Sequence, residues 1–272
     1  MALTEFQRGV CRLIATNRVQ GGESYVAGGA ALSAITASPR ISRDIDLFHD
    51  TGEAVVATWE ADRRLLVSHG YAVDLRRQFA GFIEAIVSRS DGQVVLEWAR
   101  DSAYRFFPLV EHADFGLTLH PFDLAVNKVL ALVGRLEPRD WIDLHHCHAR
   151  IQRLGLLAWA GCGKDPGLNP RYILEQAGRT ARYSQAEIDR LEFAGSPPDA
   201  ATLSRKWIAM MDEAQSIVDT LPAEHAGKCV LAATGALFPG GPVELRHALA
   251  KGELRFHTGT LRGALPNMAS AC

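Results

Sequence analysis

Apolar and polar positions along the chain follow two periods, and the points where the period changes divide it into elements. Residues 3–19 place Phe6, Val10, Leu13 and Ile14 on one stripe at helical spacing, which predicts an amphipathic helix. The short run Ser24-Tyr25-Val26-Ala27-Gly28-Gly29 reads as a strand whose glycines open a second helix over 30–36, and Pro39 stops that helix. Arg43-Asp44-Ile45-Asp46-Leu47-Phe48-His49-Asp50 alternates with period two, so Ile45 and Leu47 share one face of a strand and Asp44 and Asp46 the other. Residues 52–68 return to helical spacing. Three strands follow near Ala72–Arg77, Gly81–Ser88 and Val94–Trp98, and the second and third are joined by Arg89-Ser90-Asp91-Gly92, where Asp91-Gly92 is a hairpin turn signal.

From about residue 121 the texture becomes helical. The segment 121–136 carries apolar residues at helical spacing behind Pro121, and 139–155 continues as another helix. Loops such as 194–201 and 238–244 separate further helical segments, and the Gly- and Ala-rich tail after about 258 is expected to be poorly ordered. The order strand, helix, strand, helix, meander, then helices predicts an α+β fold. Its small mixed sheet lies in a core of residues 1–120, and residues 121–272 form a helical region.

Four features carry candidate chemistry. Gly28-Gly29, after a strand and before a helix, would let a backbone approach a ligand, with the helix N-terminus favouring phosphate; taken alone, such a pair is a common tight turn. Asp44 and Asp46 emerge side by side, and like charges so placed are costly unless a cation lies between them. Magnesium suits two carboxylates completed by substrate phosphates, and a solvated strand edge is the bland alternative. Glu97, an acid within Val94-Val95-Leu96-Glu97-Trp98-Ala99, would complete a three-carboxylate set if its strand neighbours that of Asp44 and Asp46. Lys128 sits in an apolar helix where a charge needs a partner or a ligand, and Asp140 and Asp143 share a face of the next helix. An internal salt bridge and a functional role are both open for these three.

The blocks together resemble the signature of AbiEii-type nucleotidyltransferases, the toxin partners of abortive-infection toxin–antitoxin pairs within the polymerase-beta-like superfamily. The first block is Gly28-Gly29 followed by Arg40-x-Ser42-x-Asp44-x-Asp46-Leu47, and the second runs from Lys128 through Leu132, Arg135, Arg139 and Asp140 to Asp143-Leu144. The resemblance covers about residues 20–150. It implies Asp44 and Asp46 as catalytic metal ligands for Mg2+ or Mn2+, and Gly28, Gly29, Arg40 and Ser42 as the nucleotide-binding set. Lys128 and Asp140 would belong to the catalytic helical block. The family's third acid is usually Asp, and the candidate here is Glu97. The implied reaction moves an NMP from an NTP to an acceptor hydroxyl on RNA such as tRNA, or on protein, with a cognate antitoxin as a further partner. Two rivals share this core: an antibiotic-type small-molecule adenylyltransferase, and a catalytically silent nucleotide-binding module.

Composition changes this picture little. A net charge of −2 announces no global field for nucleic acid, leaving local clusters such as Arg63-Arg64 and Arg76-Arg77 to serve an RNA acceptor. No run approaches the roughly 18 apolar residues of a membrane span. The N-terminus has no secretory leader pattern, and five scattered cysteines suit a reducing compartment, so a cytoplasmic protein is expected. His145, His146, Cys147 and His148 are adjacent on a helix, point in different directions and do not make a zinc site.

Overall fold

A computed structural model describes residues 3–22, 24–179 and 183–266. In chain order the elements are α1 (Glu5–Gly21), β1 (Ser24–Ala27), α2 (Gly28–Thr36), β2 (Asp44–His49), α3 (Gly52–Ser68), β3 (Ala72–Phe79), β4 (Phe82–Arg89) and β5 (Gly92–Arg100). Then come β6 (Tyr104–Arg105), β7 (Val110–His112), β8 (Gly116–Thr118), α4 (Pro121–Arg135), α5 (Pro138–Arg150), α6 (Leu154–Gly161) and α7 (Pro170–Gly178). The chain continues through α8 (Gln185–Ile188), α9 (Ala200–Thr220), β9 (Cys229–Ala232), α10 (Pro242–Ala250), β10 (Leu254–His257) and β11 (Thr260–Leu261). It divides into two compact units. One holds residues 1–103, 109–120 and 192–195, the other 104–108, 121–191 and 196–272.

The first unit is built on a seven-stranded mixed sheet of order β3-β4-β5-β2-β1-β8-β7. Strand β1 lies inside this sheet, antiparallel to β2 and parallel to β8, and is buried along its whole length. β2 runs parallel to β5, and the return from one to the other is made by α3 and the meander β3–β4. Period-two alternation sends Ile45, Leu47, Ile83, Ala85, Val87, Leu96 and Trp98 to one face, all at most 1% exposed. There α1 and α3 pack over them. α1 is fixed at its start by a capping box between Thr4 and Gln7, and α3 by the Thr51 side chain on Ala54 N–H. Asp62 of α3 is buried among this apolar surface and accepts from Trp98 Nε1 at 3.0 Å and Asn17 Nδ2 at 2.9 Å. The opposite face of β2, β4 and β5 is only half-buried, and it carries the polar residues.

The second unit packs helices around α6, in which every residue is buried. Gly155 lets α9 approach closely, since a Cβ there would stand 2.8 Å from Ile217 Cβ. Asp123 of α4, fully buried, accepts from the backbone N–H of Phe106 and Phe107 and pairs with Lys164 at 2.8 Å.

Several expectations are corrected here. α2 starts at Gly28 itself, two residues earlier than the apolar run suggested. The hairpin expected through 89–92 joins β4 and β5 there; within it the two turn residues are Ser90 and Asp91, and Gly92, paired to Arg89, packs closely against Phe6. The single helix expected over 139–155 ends at Arg150, where Gln152 bonds to Phe238 O and Arg153 takes extended backbone before α6. The short strands β7 and β8 and the hairpin β9–β10, whose partners are separated by α10, were not anticipated. The tail is not structureless after 258, because Thr260–Leu261 pairs antiparallel with Tyr104–Arg105; residues 267–272 lie outside the described residues. Among the described residues no helix is long and apolar enough to cross a membrane.

Candidate active site

The glycine pair is explained by what it touches. Gly28, the first residue of α2, has φ +67, a conformation that favours glycine. A Cβ on it would meet Asp46 Oδ2 at 1.7 Å, and a Cβ on Gly29 would meet Arg40 Nη2 at 2.6 Å and Ser42 Oγ at 2.9 Å. The first turn of α2 therefore rests directly on the side chains of Asp46, Arg40 and Ser42. Its N-cap, Ala27, has no side chain to bond the first N–H groups. That leaves a helix end whose partial positive charge favours anions next to a carboxylate.

The approach to β2 is braced as well. Ser42 Oγ donates to Asp44 Oδ1 at 2.9 Å, and Gln7 Nε2 of α1 donates to the Ser42 carbonyl at 2.8 Å. Arg40 and Ser42 are 4% exposed. Residues 192–195 return from the helical region to flank this segment, with Ile41 N–H donating to Glu192 O at 2.9 Å and Ala194 N–H to Pro39 O at 2.8 Å. Arg43 pairs with Glu192 at 2.8 Å. Nothing in the local sequence signals this return.

Register fixes where Glu97 lies. Asp46 is the direct parallel partner of Glu97, so the two point to the same half-buried face on adjacent strands. The row continues where sequence reading had no candidate: Glu97 is opposite Glu84 of β4, and Glu84 is opposite Arg77 of β3, with an Arg77–Glu84 contact of 3.5 Å. Glu84 was missed because only the pairing of β4 with β5 brings it beside Glu97.

As a metal site, Asp44 and Asp46 offer hard oxygen donors on one face of one strand, the chemistry that suits magnesium or manganese. Among the described residues no three His, Cys, Asp or Glu side chains form a ready-made metal cluster.

The helical block forms a different constellation within the second unit. Lys128 Nζ lies 2.9 Å from Asp140 Oδ1 and 3.1 Å from Asp143 Oδ2, and Arg135 grips Asp140 through two bonds of 2.7 and 2.9 Å. Lys128 is 6% exposed, Asp140 0% and Asp143 1%. Burial works against ionised Asp140, but the Arg135 and Lys128 donors outweigh it and hold its carboxyl below the ordinary value. The alternatives left open by the sequence meet here: the charge in the apolar helix finds its partners on the next helix. His145, from the segment dismissed as a zinc site, is wedged between Trp141 and Trp207 with ring centroids 5.0 and 5.5 Å away.

Comparison with known proteins gives a consistent picture. The family model described as nucleotidyl transferase AbiEii toxin of type IV toxin–antitoxin systems matches residues 15–219. No curated protein matches the sequence. Among solved structures the chain is similar to MenT4, a nucleotidyltransferase toxin from Mycobacterium tuberculosis, at 18% identity and a TM-score of 0.52, covering 80% of this chain and 83% of that one. It is likewise similar to JHP933 from Helicobacter pylori, at 15% identity and a TM-score of 0.50, covering 80% and 94%. At such identities the likeness is one of fold.

Proposed function

The chain belongs to the AbiEii nucleotidyltransferase toxin family, and from that premise we propose that it transfers an NMP from an NTP to a hydroxyl of RNA such as tRNA. The observation that carries the reading is the seating of Gly28 and Gly29 on Asp46, Arg40 and Ser42. It joins a helix N-terminus, a cation and a carboxylate pair at one point, as a triphosphate requires.

In this mechanism the triphosphate lies along the first turn of α2, where backbone N–H groups and the Arg40 guanidinium take up its charge. Asp44, oriented by Ser42, and Asp46 would hold Mg2+ or Mn2+, which when bound supplies charge neutralisation at the phosphates. Glu97, next to Asp46 in register, accepts the proton of the attacking hydroxyl. That oxygen forms a bond to the α-phosphorus as the bond to the bridging oxygen breaks, and pyrophosphate leaves. Lys128, Arg135, Asp140 and Asp143 position the helices that carry them. Membership of a toxin–antitoxin family supports a cognate antitoxin as a partner, and the cytoplasm as the place of action.

A second reading has one specific observation behind it. Glu84 beside Glu97 extends the acidic row, which would suit a cationic small-molecule acceptor. Incubation with each labelled NTP, Mg2+ and total RNA, or a panel of polycationic small molecules, separates the two. Label in RNA supports the proposal, and label only in a small molecule overturns it. Nucleotide binding without transfer to any acceptor would mark a silent module.

A further inference from the structure

Alongside the carboxylate row the sheet carries an aromatic one. Register aligns Phe79 of β3, Phe82 of β4, Ala99 of β5, Phe48 of β2 and Tyr25 of β1 across five adjacent strands. All point to the same face as Asp46, Glu97 and Glu84, two residues further along each strand, a step of about 7 Å. The Phe79 and Phe82 rings are stacked, with centroids 4.8 Å apart and planes 17° from parallel. Phe79 is nevertheless 62% exposed. Phe48 is backed by Tyr25 at 6.3 Å. Between Phe82 and Phe48, about 10 Å apart across two strand spacings, stands only the methyl group of Ala99.

A single large ring on a surface needs no explanation, but here an exposed Phe79 is stacked in advance on a half-buried Phe82. This pair differs in lying in register with the candidate site. It also lies on a definite side of it. The triphosphate and its leaving pyrophosphate belong with α2, next to β1 and β2, so the attacking hydroxyl of an in-line displacement enters from the side of β5 and β4. Phe79 and Phe82 lie on that entry side. Arg76 and Arg77 on the same edge strand as Phe79, with side chains 51% and 68% exposed, lie beside them in ion pairs with Asp74 at 3.2 Å and Glu84 at 3.5 Å, and pairs whose cation is this open to solvent are weak enough to exchange for a phosphate.

We propose that Phe79 and Phe82 form a stacking platform for the terminal base of a single-stranded RNA, placing that nucleotide's ribose hydroxyl over Glu97. This rests on the reading of the chain as an RNA-directed nucleotidyltransferase. Stacking on aromatic rings holds any base by its π-face and leaves phosphates for neighbouring arginines, which is how proteins hold single strands without reading sequence. Phe79 and Phe82 touch the acceptor and take no part in the phosphoryl chemistry.

The test uses the full-length protein as wild type, Phe79→Ala and Phe79→Trp, with NTP, Mg2+ and a short unstructured oligoribonucleotide bearing a free terminal hydroxyl. Phe79→Ala is expected to raise the KM for the oligoribonucleotide about tenfold, to leave the KM for NTP and the thermal midpoint unchanged, and to be rescued by Phe79→Trp. Fluorescence anisotropy of the labelled oligoribonucleotide gives a second readout that needs no turnover, with the same ordering of affinities expected. Equal RNA affinity in wild type and Phe79→Ala overturns the platform, as does no RNA binding to the wild type. A rise confined to the KM for NTP also overturns it, by assigning the platform to the nucleotide's base. Binding that depends on Phe79 without transfer to RNA would instead refute the activity reading and leave the platform standing.

Discussion

At the scale of single residues, the two acidic groups of the chain ask for different tests. Asp44 and Asp46 lie on a half-buried face and are held there by Ser42 and by contact with Gly28. Replacing either with Ala is expected to lower transfer by at least about 100-fold, the scale of losing one electrostatic stabiliser at a reacting phosphate. The fold should survive, since no apolar packing is removed. Single-turnover transfer of label beside a thermal melt checks this, and normal transfer in either variant removes the assignment. Lys128 is the opposite case. Its ammonium neutralises two carboxylates that are at most 1% exposed. Lys128→Met would strand buried negative charge, and the expected cost is about 3–5 kcal/mol in denaturant unfolding. A variant of unchanged stability but lost transfer would return Lys128 to direct catalysis, the role implied by family resemblance alone.

Elements meet at the glycine pair. A methyl group on Gly28 would occupy the place of the Asp46 carboxylate, so Gly28→Ala must part α2 from β2 or turn Asp46 away. It also forces Ala into positive φ, at about 1 kcal/mol. Misplacing a catalytic group by an ångström costs on the order of 100-fold in rate, and that loss is expected for Gly28→Ala. The pair Gly28→Ala and Asp46→Ala gives a sharper test through a double-mutant cycle. The stability cost of the glycine change should shrink when the carboxylate is gone, because the clash goes with it. Additive costs would mean that α2 and β2 do not press on each other there. β2 thus serves two surfaces at once: Asp46 meets α2, while Ile45 and Leu47 lie on the face that α1 and α3 cover.

Stability of the molecule as a whole should carry the mark of His49, on the covered face of β2. The residue is 0% exposed, its Nε2 has no hydrogen-bond partner among the described residues, and its Nδ1 lies 3.4 Å from Ala99 O. Burial pushes its pKa down to about 4 from an ordinary 6.5. Between those values the unfolded chain binds a proton that the folded protein refuses, so stability falls as pH drops from about 6.5 towards 4 and is level above. His49→Gln removes this contribution. Urea midpoints at neutral pH and near pH 4.5 should converge in the variant relative to wild type, and an equal acid loss in both would exclude His49 as a cause.

What the sequence determined by itself is local. Period-two alternation identified β2 and the face of Asp44 and Asp46, helical spacing identified α1, α3 and α4, and the ordered blocks from Gly28 to Asp143 identified the family. These features are legible because side-chain direction follows from backbone period within one element. Only tertiary structure decided the rest. Strand register set Glu97 beside Asp46 and brought in Glu84, Arg77, Phe79 and Phe82, none of which is near Asp46 in sequence. Backbone contact showed that Gly28 and Gly29 are small because Asp46, Arg40 and Ser42 fill the adjoining space. Packing of α4 on α5 turned Lys128 from a lone charge into the centre of a buried ion cluster. The return of residues 192–195 to the strand approach, and the pairing of β9 with β10 and β6 with β11, join distant segments through backbone bonds. A hydrogen bond between main chains is indifferent to side-chain identity, so such pairings leave little trace in the residues that make them.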